Sequence, residues 1–156
     1  SATGKKQAAK AAKYIYENFD IKKIITSPLL RARQTSEIVN TKLKKQILIS
    51  NKITEWAGLV NWKGYTFDEI TSTEEYKIYN QDPLKIKSNE SFLETFKRVD
   101  ELYELHEHTL FVTHQDTIRS FMFYKLGSQD FNEDKPDHCD LQYIVDQELK
   151  IYTISV

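Results

Sequence analysis

The chain has 156 residues, with 22 Lys and Arg against 23 Asp and Glu and a formal net charge of −1. That length suits one domain over 1–156 with a single sizeable core, and the absence of basic excess argues against nucleic acid as the main partner. One cysteine, Cys139, excludes an internal disulfide framework, and no apolar run reaches membrane-spanning length, so a cytoplasmic protein with no membrane partner is expected.

The opening, Ser1 to Tyr16, carries four lysines and no acid. It lacks the arginines of a transit peptide and the apolar core of a secretory signal. Thr3 is the expected N-cap of a first helix, with Ala8, Ala11, Ala12, Ile15 and Phe19 on its buried face. Because no strand precedes this helix, the chain is expected to be N-terminally incomplete. A β-branched strand follows at Lys23 to Thr26.

Next comes Ser27-Pro28-Leu29-Leu30-Arg31-Ala32-Arg33-Gln34-Thr35, where a strand ends and a helix begins. The helix is expected to run from Leu30 to Lys45, with Thr35, Ile38, Val39 and Leu43 at helical spacing. Arg31 and Arg33 lie in its first turn, against the sign of the macrodipole. A bound anion would explain that placement, since guanidinium donates two parallel hydrogen bonds to phosphate. Solvated surface arginines would explain it equally well. Residues two apart point to opposite sides of a helix, so at most one of the pair faces a shared site.

Gln46 to Ser50 reads as a second strand, and the strand–helix–strand rhythm predicts a three-layer α/β fold. Its sheet would be mostly parallel, with helices on both faces. From Asn51 to Pro83 the pattern loosens into an aromatic loop with both tryptophans, Trp56 and Trp62. Such loops often bind ligands. Glu55 lies just beyond the strand end, where Trp56 could enclose it and raise its pKa; a surface glutamate is the plainer reading. The stretch from Thr66 to Tyr79 is expected to contain a helix, with Phe67, Ile70 and Tyr76 inward, ended by Asp82-Pro83.

Ser88-Asn89-Glu90-Ser91 caps a further helix whose apolar face is Phe92, Phe96, Val99, Leu102 and Leu105, leaving Arg98 and the carboxylates outside. His106 and His108 sit at its end as solvated residues rather than a metal pair. Leu110 to Val112 form a buried strand, and His114 stands at its carboxyl end before a helix with Ile118, Phe121, Met122 and Leu126. A histidine at that switch faces the crevice where such folds bind ligands. Gly127 closes the helix. Asp137-His138-Cys139-Asp140 reads as a turn, and Leu141 to Val145 with Leu149 to Ser155 as a closing hairpin.

Taken together these stretches resemble the histidine phosphatase superfamily, with its phosphoglycerate mutase-like fold. The resemblance rests on Thr3 to Ala8, Ser27 to Thr35, Thr54-Glu55 with Gly58 and Trp62-Lys63-Gly64, Asn89-Glu90-Ser91 with Arg98, and Val112-Thr113-His114 with Ile118-Arg119. These fall in the family order across nearly the whole chain. What the resemblance implies is phosphomonoester hydrolysis through a phosphohistidine. The position matching Arg31 binds phosphoryl oxygens, that matching His114 is a second histidine on the phosphoryl group, and that matching Glu55 protonates the leaving oxygen. Ser27, Thr113 and Gln115 would support them. No metal or other cofactor is implied, and the substrate would be a small phosphorylated molecule or a phosphoprotein.

Two departures stand out. The family's Arg-His-Gly nucleophile motif precedes the first helix, and here it would lie upstream of Ser1. Gln115 stands where the family usually has glycine. The alternatives are a non-catalytic phosphate- or phosphoprotein-binding module and a phosphoglycerate-type mutase. The mutase is disfavoured because the loop from Asn51 to Pro83 offers only Lys52, Lys63 and Lys77 for a substrate carboxylate.

Overall fold

A computed structural model describes residues 1–58, 62, 64–132, 135–145 and 148–152. In chain order the elements are α1 (Ala2–Asn18), β1 (Lys23–Thr26), α2 (Leu30–Leu43), β2 (Gln46–Ile49), a 3-10 turn (Asn51–Ile53), α3 (Phe67–Thr71), α4 (Glu74–Gln81), a second 3-10 turn (Pro83–Lys85), α5 (Phe92–Tyr103), β3 (Thr109–Val112), α6 (Gln115–Leu126), β4 (Leu141–Val145) and β5 (Glu148–Tyr152). The strands β2-β1-β3 form a parallel sheet in that order, with Thr26 opposite both Ile49 and Val112. β4 and β5 make a separate antiparallel ladder.

Side chains alternate across a strand, so the two central isoleucines of β1 build two different cores. Ile24 packs with Ala11, Ala12 and Ile15 of α1, Val39 and Leu43 of α2, and Leu110 of β3. Ile25 faces the other way, onto Ile53, Val99 and Leu102 of α5, and Phe121 and Met122 of α6. Helices thus cover both faces of the sheet, and the three-layer α/β architecture expected from the sequence is present. β2 is an edge strand, which is why its mixed alternation leaves Leu48 and Ile49 exposed.

Several local expectations need correction. Ser1, not Thr3, caps α1: its hydroxyl accepts from the Gly4 N–H at 3.0 Å, and Thr3 already lies within the first turn. α2 stops at Leu43 because Lys44 turns left-handed while Asn40 Oδ1 takes the Lys45 N–H. The stretch from Thr66 to Tyr79, where a helix was expected, carries two, α3 and the start of α4. Thr66 and Thr73 each cap a helix with their own hydroxyl, and extended backbone at Thr73 breaks the run. That break turns Phe67 outward and Tyr79 inward, where Tyr79 joins Trp56, Phe92 and Phe131 in a third, aromatic cluster. α5 ends at Tyr103, so Leu105 is exposed rather than part of the apolar face. Ser91 and Glu94 form the capping box of α5. In the hairpin, Asp146, Gln147 and Thr153 to Ser155 lie outside the described residues, as do Asn61 and Lys63 of the aromatic loop.

His106 accepts a contact from Lys23 Nζ at 2.9 Å through Nδ1 and is half-buried, not freely solvated. Among the described residues no group of three metal-ligating side chains occurs, and no helix is long and apolar enough to cross a membrane. Asp137 to Cys139-Asp140 forms the expected turn, closed by the Asp140 N–H on Asp137 O at 3.1 Å.

Candidate active site

Parallel pairing puts the carboxyl ends of β2, β1 and β3 side by side, and each leads into one part of a single site. β1 ends at Ser27, which is fully buried, and its N–H bonds Val112 O at 3.0 Å. β3 ends at Thr113 and His114, and β2 leads through the 3-10 turn to Glu55. Because β1 connects to a neighbour on each side, the crevice lies at a switch point of the sheet.

Two helix N-termini open there. The N-cap of α2, Leu29, and that of α6, His114, make no side-chain cap bond, and α2 has no acid in its first turn. The positive dipole ends of both helices therefore face the crevice, with Asp116 of α6 the one acid in either first turn. Arg31, in the first turn of α2, reaches Glu55 Oε2 with Nη2 at 3.5 Å, while its side chain stays 64 % exposed. Arg33 is also exposed, and of the two arginines Arg31 is the one that meets Glu55.

His114 is buried, and its Nε2 lies 2.8 Å from Ser27 Oγ. Its Nδ1 is 3.6 Å from Glu55 Oε2, too far for a hydrogen bond. Burial pushes the imidazole down to about 4, with the positive charges of Arg31 and Arg98 adding to the effect. Burial likewise pushes the Glu55 carboxyl up to about 7, reinforced by the Asp116 carboxylate and opposed by the Trp56 N–H and Arg31. The buried environment thus disfavours charge on both groups, and the contact between them is not an ion pair at neutral pH. The result is a neutral imidazole beside a carboxyl group that holds a proton near neutrality.

The expected supporting residues divide. Ser27 touches His114 directly. Thr113 donates its hydroxyl to Ile53 O at 2.7 Å, so it fixes the chain leading to Glu55. Gln115 turns away from this group, and its amide donates to Pro136 O at 2.6 Å.

Two arginines whose partners local patterning did not reveal are held by carboxylates in this region. Arg98 is largely buried rather than solvated, and grips Glu90 with Nε at 2.6 Å and Nη2 at 3.1 Å. Arg119 is buried: Nη1 donates to Asp116 Oδ1 at 2.7 Å and to the Tyr79 hydroxyl at 2.9 Å, and Nη2 to Asn132 Oδ1 at 2.5 Å. Tyr79 in turn donates to Asp116 at 2.7 Å. Both arginines belong to the stretches that carry the family resemblance, but local patterning did not show that either is held by partners distant in the chain.

The chain matches the family model of the histidine phosphatase superfamily (branch 1) over residues 1–145. Among solved structures it is similar to YhfR of Bacillus stearothermophilus, with 23 % identity and a TM-score of 0.73 over 99 % of this chain and 78 % of that one. It is also similar to the alpha-ribazole phosphatase from Shigella flexneri, with 16 % identity and a TM-score of 0.71 over 99 % and 82 % of the two chains. A mycobacterial glucosyl-3-phosphoglycerate phosphatase matches with 19 % identity and a TM-score of 0.67 over 82 % and 68 %. At these identities the structural likeness speaks for the fold alone. No curated protein matches the chain.

Proposed function

The chain belongs to the histidine phosphatase superfamily, branch 1, and from that premise we propose that it hydrolyses small phosphomonoesters through a phosphohistidine. The observation that carries the reading is the convergence of Arg31, Glu55 and His114 at the carboxyl ends of the parallel strands, beside two helix N-termini without side-chain cap bonds. Arg31 holds equatorial phosphoryl oxygens through its fork, and His114 donates to a further one. The nucleophile is a histidine upstream of Ser1. It attacks phosphorus as the bond to the leaving oxygen breaks, and Glu55 gives its proton to that oxygen. Glu55, now a carboxylate, then takes a proton from the water that attacks the phosphohistidine, and inorganic phosphate leaves. A carboxyl group titrating near 7 suits both halves of this cycle.

A second feature fits that proposal. β3 has only β1 as a ladder partner among the described residues. Along its other edge runs a cavity of about 660 Å³, lined by Thr109 to Phe111 of β3, Leu141 to Ile144 of β4, and apolar side chains of α1 and α6. An extended segment lying there would complete the β3 edge and bring its carboxyl end beside Ser27 and His114. By analogy only with two fold relatives named as phosphatases of small metabolites, the substrate we propose is a small phosphorylated metabolite.

The test uses the full-length protein with its natural upstream segment. Turnover of an aryl phosphate together with acid-labile phosphate on the protein is expected. Phosphate binding without either result would make the protein a binding module and end the hydrolase reading.

A further inference from the structure

The stretch from Lys52 to Gly58, which carries Glu55, has no regular backbone partner after the 3-10 turn, yet its polar groups are met one after another by side chains. Lys52 O accepts from Arg98 Nη1 at 2.7 Å, Ile53 O from Thr113 at 2.7 Å, Thr54 O from Thr117 at 2.9 Å, and Glu55 O from Arg98 Nη2 at 3.4 Å. Beyond them the Ala57 N–H donates to Glu90 Oε2 at 3.1 Å, and the Trp56 indole to Glu90 O at 2.6 Å. Four successive carbonyls thus end on side-chain donors, and one guanidinium serves the first and the last.

We infer that Arg98, locked by Glu90, is a positioning residue for the proton donor: it fixes the strap that holds the Glu55 carboxyl between Arg31 and His114. This rests on the phosphatase reading above. The chemistry of the fork is what the geometry needs. Arg98 spends Nε and one edge of Nη2 on Glu90, which leaves Nη1 and Nη2 to reach carbonyls three residues apart. A lysine ammonium is a single point of charge and cannot span them. Both side chains of the pair are 20 % exposed, so each charge depends on the other. Burial alone would raise the Glu90 carboxyl, but Arg98 and the Ala57 N–H hold it below the usual carboxylate range, so it stays ionised as the anchor. Glu55 itself meets Arg31 from α2 and His114 from the start of α6, its carbonyl meets Arg98 from α5, and the Asp116 carboxylate acts on it through its charge.

The experiment compares Arg98→Lys, Glu90→Gln and Glu55→Gln in the full-length protein, using phosphomonoesters from p-nitrophenyl phosphate to simple alkyl phosphates. Loss of a general acid matters most for the poorest leaving group, and Glu55→Gln is expected to lower kcat on alkyl phosphates by about 100-fold and much less on the nitrophenyl ester. Arg98→Lys should show the same dependence on leaving group at about tenfold on the alkyl ester, with little change in KM. The double variant should be no worse than Glu55→Gln alone. As a readout that needs no turnover, the Glu55 carboxyl followed by NMR should titrate closer to an ordinary glutamate in Arg98→Lys. Equal losses on all substrates, or an unmoved Glu55 titration, would overturn the positioning role. If Glu55→Gln itself shows no leaving-group dependence, the proton-donor reading fails instead. Should Arg98→Lys not fold, Glu90→Gln carries the same comparison, because it loosens the anchor while keeping its shape.

Discussion

Two groups of polar side chains flank the start of α6 and are built on opposite lines. On one side Arg31, Glu55 and His114 approach one another only to 3.5 and 3.6 Å, and Arg31 reaches out from the surface. On the other, Asp116, Tyr79, Asn132 and Arg119 are joined by bonds of 2.5 to 2.9 Å. The Arg119 guanidinium also stacks 4.7 Å from the Phe131 ring and 5.6 Å from that of Tyr79. His114 and Asp116 are two residues apart on the helix start, so they face different sides. The contrast separates scaffold from candidate site. A buried guanidinium with both terminal nitrogens bonded has little left for a ligand, whereas an exposed one held loosely at a helix N-terminus has donors to spare.

The sharpest way to break this contrast is to remove each arginine. Arg119→Met leaves Asp116 buried without its cation and is expected to cost about 3–5 kcal/mol of stability, measured by urea unfolding. A loss under 1 kcal/mol would mean the network is ornamental. Arg31→Gln should leave the urea midpoint where it was and instead lower kcat/KM of the full-length enzyme by about 10²–10³. If it unfolds the protein while Arg119→Met does not, the two regions have been assigned the wrong way round.

Titration sharpens the same comparison with smaller effects. The folded Glu55 value, about 7, lies above the ordinary 4.5, so the native state holds that proton more tightly than the unfolded chain. Its contribution is full below the unfolded value and is lost as pH rises through about 7. His114 works in the opposite sense. Its folded value, about 4, lies below 6.5, so its contribution is full above 6.5 and is lost as pH falls towards 4. Glu55→Gln removes the first dependence and keeps the second. Discounted for the partial exposure of the side chain, the variant should gain on the parent by about 1 kcal/mol above pH 7 and by nothing below pH 4. Denaturation curves at those two pH values decide it.

The smallest effect is a fraction of a proton. A phosphate dianion bound beside Glu55 and His114 favours the protonated form of each, so phosphate binding at pH 7 should take up protons. Calorimetry in two buffers of different ionisation enthalpy measures the uptake. A value of zero would place the phosphate elsewhere.

Much of this site was legible in the residues themselves. Ile24-Ile25-Thr26 and Leu110-Phe111-Val112 are short β-branched or apolar runs that can only be buried strands, and Ser27 and His114 are fixed at their ends by chain continuity. Arg31 and Arg33 both stood out because they open a helix with the wrong sign of charge, and only the family resemblance pointed to Arg31. The burial and partners of Arg98 and Arg119 were not legible, since a charge on an amphipathic helix is ordinarily a solvated one. The split between α3 and α4 was equally hidden, because the Thr73 hydroxyl competes with the helix that the apolar spacing favoured.

The boundary between what the chain alone determined and what its folding decided follows from range. Periodicity and strand-end chemistry act over a few residues, and they were enough to specify the layers of the sheet, which residues end its strands and where an anion would be welcome. Whether a charge is spent or available depends on partners far along the chain. Ser27 meets His114 across 87 residues, Tyr79 meets Arg119 across 40, and Arg98 reaches back 46 to Lys52. Only tertiary structure brings such groups within the few ångströms over which hydrogen bonds and desolvation act. That distance buried Arg119 beside Asp116, tied Arg98 to Glu90, and left Arg31 largely exposed next to Glu55, where the proposed phosphate site lies.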